Sequence, residues 1–229
     1  MRAMILAAGR GERMRDLTLD KPKALLKVKD RYLIEYSLLA LKKANVREIV
    51  VNVCYHREQI KSALGDGSRY GVDIHYSEET EALETGGGIF QALPFFGDDP
   101  FVVLSCDVVM DYPLENLPKN PQKLAHLVLV DNPDFHPKGD FCLSKKGEIA
   151  IPQRNGIASR TFTFANIGVY RKELFEGCEA GRFRLGDLLK QKIDQVTGEH
   201  FRGFWYNLGT PEQLLQLSEA LDNLHAPLV

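Results

Sequence analysis

Strand-length apolar runs alternate with segments of helical period through the first half of this chain, and that alternation limits the fold more than any other feature. The runs lie at residues 3–7, 48–53, 72–76 and 101–105. Between them, residues 32–44 place Leu33, Ser37, Leu38, Leu41 and Ala44 on one helical face, with Asn45 as a C-terminal stop. Residues 56–64 repeat the pattern and end at Gly65. The first and fourth runs are almost continuously apolar, as strands buried on both faces are. With helices as crossovers they predict an α/β fold whose parallel sheet is covered on both sides.

From about residue 125 the texture becomes strand-rich. Strands are expected at 125–130, 161–170 and 201–206, with a hairpin of 140–143 and 148–151 around Lys146-Gly147. Residues 211–224 read as a closing amphipathic helix, N-capped by Thr210 with Pro211 at its first position. This half extends the first as a mixed sheet. No repeat, low-complexity tract or linker divides the 229 residues, so 1–229 is expected to be a single domain with halves of about 1–112 and 113–229.

No stretch approaches the about 18 uninterrupted apolar residues of a membrane span, and the N-terminal apolar run is too short for a signal peptide. The expected location is the cytoplasm, without membrane contact. Cys54, Cys106, Cys142 and Cys178 are scattered, with no Cys-x-x-Cys pair, and read as reduced, mostly buried thiols. The formal net charge of −2 argues against a nucleic-acid partner. Residues 10–31 are the local exception: eight bases against four acids, a segment able to hold a small polyanion. The histidines, including His56, His75 and His136, are assigned no role.

The first strand runs into Ala7-Ala8-Gly9-Arg10-Gly11-Glu12-Arg13. Ligands of open α/β sheets bind at the carboxyl ends of strands, where glycines let backbone N–H groups approach phosphate oxygens. A dinucleotide fingerprint is ruled out by Met14 in place of a third glycine and by Asn52 where an acid should end the second strand. A Walker loop is ruled out because Gly-Lys-Ser/Thr is absent. Further on, Pro22 keeps Lys21 extended, so that Lys23 can be aimed back across the loop as a fixed charge.

The run from Leu6 to Val28 resembles the signature of the sugar-1-phosphate nucleotidylyltransferases: Gly-x-Gly, an Arg two residues on, then Leu-Thr, three residues, and Pro-Lys. Residues 83–93, 125–133, 139–141, 174–183 and 205–214 are similar to the branch that acts on N-acetylmuramate 1-phosphate in bacterial cell-wall recycling. The resemblance implies a Rossmann-like nucleotidyltransferase fold, its first half binding nucleotide and its second half sugar. It implies an enzyme that joins a nucleoside monophosphate from a nucleoside triphosphate, here UTP, to a sugar 1-phosphate with loss of pyrophosphate. Arg13 and Lys23 take the catalytic positions. Leu6, Ala7, Ala8, Gly9, Gly11, Glu12 and Arg13 wrap the nucleotide, with Glu84, Thr85 and Gly86 beside the base. Gly139, Asp140 and Asn166 meet the sugar.

The transfer is an in-line displacement at phosphorus, so the protein must position two anions and neutralise charge. Mg²⁺, or Mn²⁺, is the implied cofactor. Asp107 follows the fourth apolar run at the carboxyl edge of the sheet, where a metal carboxylate belongs. The family's second metal aspartate falls on Asn207, in Trp205-Tyr206-Asn207-Leu208-Gly209-Thr210, which lacks the charge and predicts weaker metal binding or a shift towards Mn²⁺. Cys106 stands where the family has glycine and is expected to crowd the substrate's approach. Asp16 stands where it has proline and is expected to loosen the loop. Alternative readings are a mannose-1-phosphate guanylyltransferase, a glucose-1-phosphate uridylyl- or thymidylyltransferase, or a catalytically impaired nucleotide-sugar-binding protein. A monomer or small homo-oligomer is expected.

Overall fold

The protein is described here by a computed structural model covering residues 1–152 and 160–224. Its strands are β1 (Arg2–Leu6), β2 (Lys27–Val28), β3 (Arg31–Tyr32), β4 (Glu48–Val53), β5 (Asp73–Glu78), β6 (Phe101–Ser105), β7 (Val108–Met110), β8 (Ala125–Val130), β9 (Phe141–Leu143), β10 (Ile149–Ala150), β11 (Thr161–Tyr170), β12 (Val196–His200) and β13 (Trp205–Asn207). Its helices are α1 (Leu33–Lys43), α2 (Arg57–Leu64), α3 (Glu84–Phe96), α4 (Leu185–Gln191) and α5 (Pro211–Asp222).

The main sheet runs β5-β4-β1-β6-β11-β8-β12, with the β9–β10 hairpin attached at the start of β11. β1 pairs in parallel with β4 on one side and β6 on the other. β11 runs against both of its neighbours, β6 and β8. This is the mostly parallel mixed sheet that the apolar pattern predicts. Because strand side chains alternate, β1 sends Ala3 and Ile5 into a core under α1 and α2, and Met4 into a second core under α3 and α4. Phe96 of α3 stacks on Phe101 of β6 in that second core, with ring centroids 3.9 Å apart. α5 closes a third cluster with Met14, Leu26 and Leu33.

Helix ends fall where the sequence placed them. Asn45 adopts a left-handed φ of 59° just after α1, and Gly65 has a φ of 61° after α2. Thr210 caps α5 by accepting the Gln213 N–H. Two expectations need correcting. The strand expected at 201–206 is split: β12 ends at His200, and the chain turns before β13. Helix α4 was not foreseen, since seven residues containing Gly186 carry a weak periodic signal. The cysteines are reduced, as expected, but only Cys106 is buried and the other three are half-buried.

The register of β11 on β8 slips between Phe164 and Gly168, and Asn166 within the slip has a φ of 58°. Asparagine tolerates that region better than most residues. The slip leaves the Ala165 carbonyl for the Trp205 indole N–H, which donates to it at 3.0 Å. That bond docks β13 on the sheet. β13 in turn pairs antiparallel with β7, placing Asn207 opposite Val108 and next to Asp107, whose carbonyl accepts the Leu208 N–H.

Gly86, expected beside the base, lies with Gly87 and Gly88 near the start of α3. All three glycines are buried. A methyl group at Gly86 would overlap the Phe183 ring, and one at Gly87 would overlap the Gly181 carbonyl. One at Gly88 would lie 2.7 Å from both Asn52 and Glu79. The glycines let protein, rather than nucleotide, approach the helix. Gly87→Ala is expected to destabilise the fold by about 2 kcal/mol, measured as a lowered urea midpoint at unchanged m-value.

Candidate active site

Two cavities open around the carboxyl end of β1. The first holds about 620 Å³. Leu6, Ala7, Ala8, Gly9, Gly11, Glu12, Arg13, Lys23, Glu84, Thr85 and Asp107 line it, so the sequence-based nucleotide set converges there with one exception. Gly86 is turned away, and its N–H donates to the Phe183 carbonyl at 3.0 Å. The second cavity holds about 280 Å³ and is lined by Asp140, Asn166 and Asn207. Gly139 does not line it and instead backs onto Asn132 with a φ of 61°. Leu6 and Thr85 line both cavities.

The glycine loop is tied rather than loose. Gly11 takes a φ of 69°, and the 3₁₀ segment Glu12–Thr18 follows, kinked at Arg15. The Thr18 hydroxyl donates to the Gly11 carbonyl at 2.9 Å, closing the loop despite Asp16. The Lys23 Cβ lies 3.1 Å from where a Gly11 Cβ would stand, so Lys23 does cross behind the loop. Its Nζ donates to Asp107 Oδ2 at 2.5 Å, and the Ser105 hydroxyl donates to Asp107 Oδ1 at 2.6 Å. Both members of the ion pair are largely shielded, with side chains 11% and 18% exposed. Arg13 has no ion-pair partner among the described residues, and its guanidinium stands beside Gly209, after β13. Arg10 lies over the Tyr55 ring at 4.5 Å from the centroid, making an aromatic flank.

Cys106, expected to crowd the substrate, is 6% exposed and packs against the core, and it also lines the first cavity. Burial, with the neighbouring Asp107 charge, pushes its thiol up to about 12, so it stays protonated.

Asn52 and Glu79 were missed as site residues. Asn52 Oδ1 accepts the Ala7 N–H at 2.8 Å, and its Nδ2 donates to Glu79 Oε1 at 2.6 Å. Glu79 Oε2 accepts the Leu83 N–H at 3.0 Å. Burial raises the Glu79 pKa, while these two donors pull it back down. The two side chains, 3% and 1% exposed, bolt the glycine loop to the entry of α3. The sequence offered a signal: a polar residue ending an apolar strand, where the acid of a dinucleotide site would stand.

Among the described residues no three His, Cys, Asp or Glu side chains come together as a metal cluster. Asn207 Oδ1 is buried without a hydrogen-bond partner, on the ribbon that carries Asp107. One carboxylate and one orphaned amide oxygen, with phosphate and water completing the shell, fit a Mg²⁺ ion.

A glycine loop at the end of β1, a lysine–aspartate pair at its edge and a second cavity alongside are the features of a phosphate-binding α/β protein. The chain belongs to the nucleotidyl transferase family, whose model matches residues 2–148. It is 45% identical over 221 residues to an N-acetylmuramate alpha-1-phosphate uridylyltransferase of Neisseria meningitidis serogroup B, covering 92% of this chain and 94% of that protein. It is 36% identical to the mannose-1-phosphate guanylyltransferase catalytic subunit beta of Drosophila melanogaster, over 93% of this chain and 61% of the relative. Among solved structures, the inositol-1-phosphate CTP transferase of T. maritima superposes with a TM-score of 0.78 at 20% identity, covering 98% of each chain. HddC of Yersinia pseudotuberculosis complexed with GMP-PN superposes at 0.80 and 18% identity, covering 96% of this chain and 99% of HddC. These two establish the fold. The chain is thus an enzyme of the sugar-1-phosphate nucleotidyltransferases. No helix among its described residues is long and apolar enough to cross a membrane.

Asn52→Asp tests the bolt. A second carboxylate against Glu79 is expected to cost about 2 kcal/mol of stability and to raise KM for the nucleotide more than for the acceptor, read from denaturation and initial rates.

Proposed function

We propose that this enzyme transfers the uridylyl group of UTP to N-acetylmuramate 1-phosphate, releasing pyrophosphate, as a step of cell-wall sugar recycling. The observation that carries the reaction class is Lys23 paired with Asp107 at the mouth of the glycine loop. The base and acceptor follow the Neisseria relative, which matches nearly end to end.

The 620 Å³ cavity takes the nucleotide, with the backbone from Leu6 to Gly11 against its phosphates. Arg13 has its charge free to meet the departing pyrophosphate. The 280 Å³ cavity takes the sugar, whose phosphate lies at the Leu6 and Thr85 wall shared by both. A phosphate oxygen of the acceptor attacks the α-phosphorus from that side, and pyrophosphate leaves on the other. Negative charge spreads over the transferring phosphoryl oxygens, and Lys23 places a fixed cation there. Asp107 and Asn207 would hold Mg²⁺, which when bound would neutralise triphosphate charge. No side chain acts as nucleophile. The enzyme works in the cytoplasm as a monomer or small homo-oligomer.

Incubating the protein with each of UTP, GTP, dTTP and CTP plus a panel of sugar 1-phosphates, and measuring pyrophosphate release, tests the assignment. UTP with N-acetylmuramate 1-phosphate should give the highest kcat/KM; a preference for GTP with mannose 1-phosphate would overturn it. Lys23→Ala is expected to lower kcat about 10²–10³-fold. Asn207→Asp should tighten metal binding, lowering the Mg²⁺ concentration for half-maximal rate, and a binding isotherm that does not move would remove Asn207 from the metal.

A further inference from the structure

The acceptor cavity is lined by His136, Asp140, Lys190 and the phenol of Tyr170. Two of them are committed to each other. His136 Nε2 lies 3.0 Å from Asp140 Oδ1, and Asp140 Oδ2 accepts the Phe164 N–H at 2.9 Å. Lys190 has no hydrogen-bond or ion-pair partner among the described residues. The cavity therefore presents one uncommitted cation, carried by α4.

Helix α4 starts at the reacting end of the cavity, because the Leu185 N–H donates to the hydroxyl of Thr85, a residue lining both cavities. Gly186 and Lys190 follow on one helical face, four residues apart. At about 1.5 Å per residue, Lys190 stands about 6 Å further from the reacting end than Gly186. Gly186 is itself informative. Its φ is not positive, and a Cβ built there would meet nothing within 4 Å, so neither backbone nor packing requires a glycine. Gly186 is the second residue of α4, in a first turn where alanine would form helix more readily. The space it leaves opens on the cavity.

We propose that Lys190 is a specificity-determining residue that pairs with the carboxylate of the acceptor, an inference resting on the acceptor reading given above. N-acetylmuramate differs from N-acetylglucosamine by a lactyl ether on C3, ending in a carboxylate on the side of the ring away from the C1 phosphate. With the phosphate at the Thr85 end, the lactyl group passes over Gly186 and its carboxylate meets the Lys190 ammonium. An acceptor without that carboxylate would leave the ammonium unused and gain nothing from it.

The test compares N-acetylmuramate 1-phosphate with N-acetylglucosamine 1-phosphate, at saturating UTP, for the wild type, Lys190→Gln and Lys190→Arg. The wild type should prefer the muramate. Lys190→Gln should raise KM for the muramate about tenfold, with a smaller change in kcat, and lower the preference ratio about tenfold, as loss of one charge-assisted hydrogen bond predicts. Lys190→Arg should restore most of the ratio. KM for UTP should be the same in all three. If the wild type prefers the muramate and Lys190→Gln keeps that ratio, Lys190 does not read the carboxylate. A wild type with no preference overturns the acceptor reading and this proposal with it. A fall in kcat equal for both acceptors assigns Lys190 a structural role and also overturns the proposal.

Discussion

Parallel pairing of β1 on both of its edges is the constraint on which the molecule depends. Because β4 and β6 both pair with β1 from Ala3 to Leu6, the strand cannot shift along its neighbours without exposing either Met4 or Ala3 and Ile5 to the wrong core. Its carboxyl end is therefore fixed, and the chain leaving it must cross a gap between strands whose connections lie on opposite faces of the sheet. Backbone N–H groups at that gap have no ladder partner. One is taken by Asn52, and the rest of the loop faces the cavity.

From that fixed point, charge is arranged in a graded way. Buried Glu79 is satisfied entirely by internal donors and sets loop position. The largely shielded pair of Lys23 and Asp107 is balanced, yet it lies at the cavity wall where a ligand can compete for either member. Arg13 is uncommitted. Charges thus become freer as they approach the substrate, so binding energy need not be spent on breaking deep ion pairs.

Much of this was legible in the sequence. Apolar continuity marked β1 and β6, and the Pro22 restriction foretold Lys23's position behind the loop. The resemblance along residues 6–28 supplied the chemistry. What escaped was set by tertiary contact. The glycines 86–88 look alike in sequence whether a ligand or a phenylalanine ring occupies the space above them, and only Phe183, distant in the chain, decides it. Asn52 looked like a missing acid, but its amide both accepts and donates, which a carboxylate in its place could not do. Helix α4 is too short for periodicity to find. Asn166 was named from the sequence, but the register slip in β11 at which it lines the cavity was not.

The ribbon of β7 and β13 has a consequence for how the enzyme comes into being. Asp107 lies near the middle of the chain and Asn207 near its end, and only antiparallel pairing brings them side by side. Closing so long a loop is entropically costly and slow, and the gain appears only after Trp205 has found the slipped strand β11. During synthesis the glycine loop can form while the C-terminal segment is still in the ribosome. A nascent chain can thus form the glycine loop well before β13 brings Asn207 to the β7 ribbon and completes the walls of the second cavity.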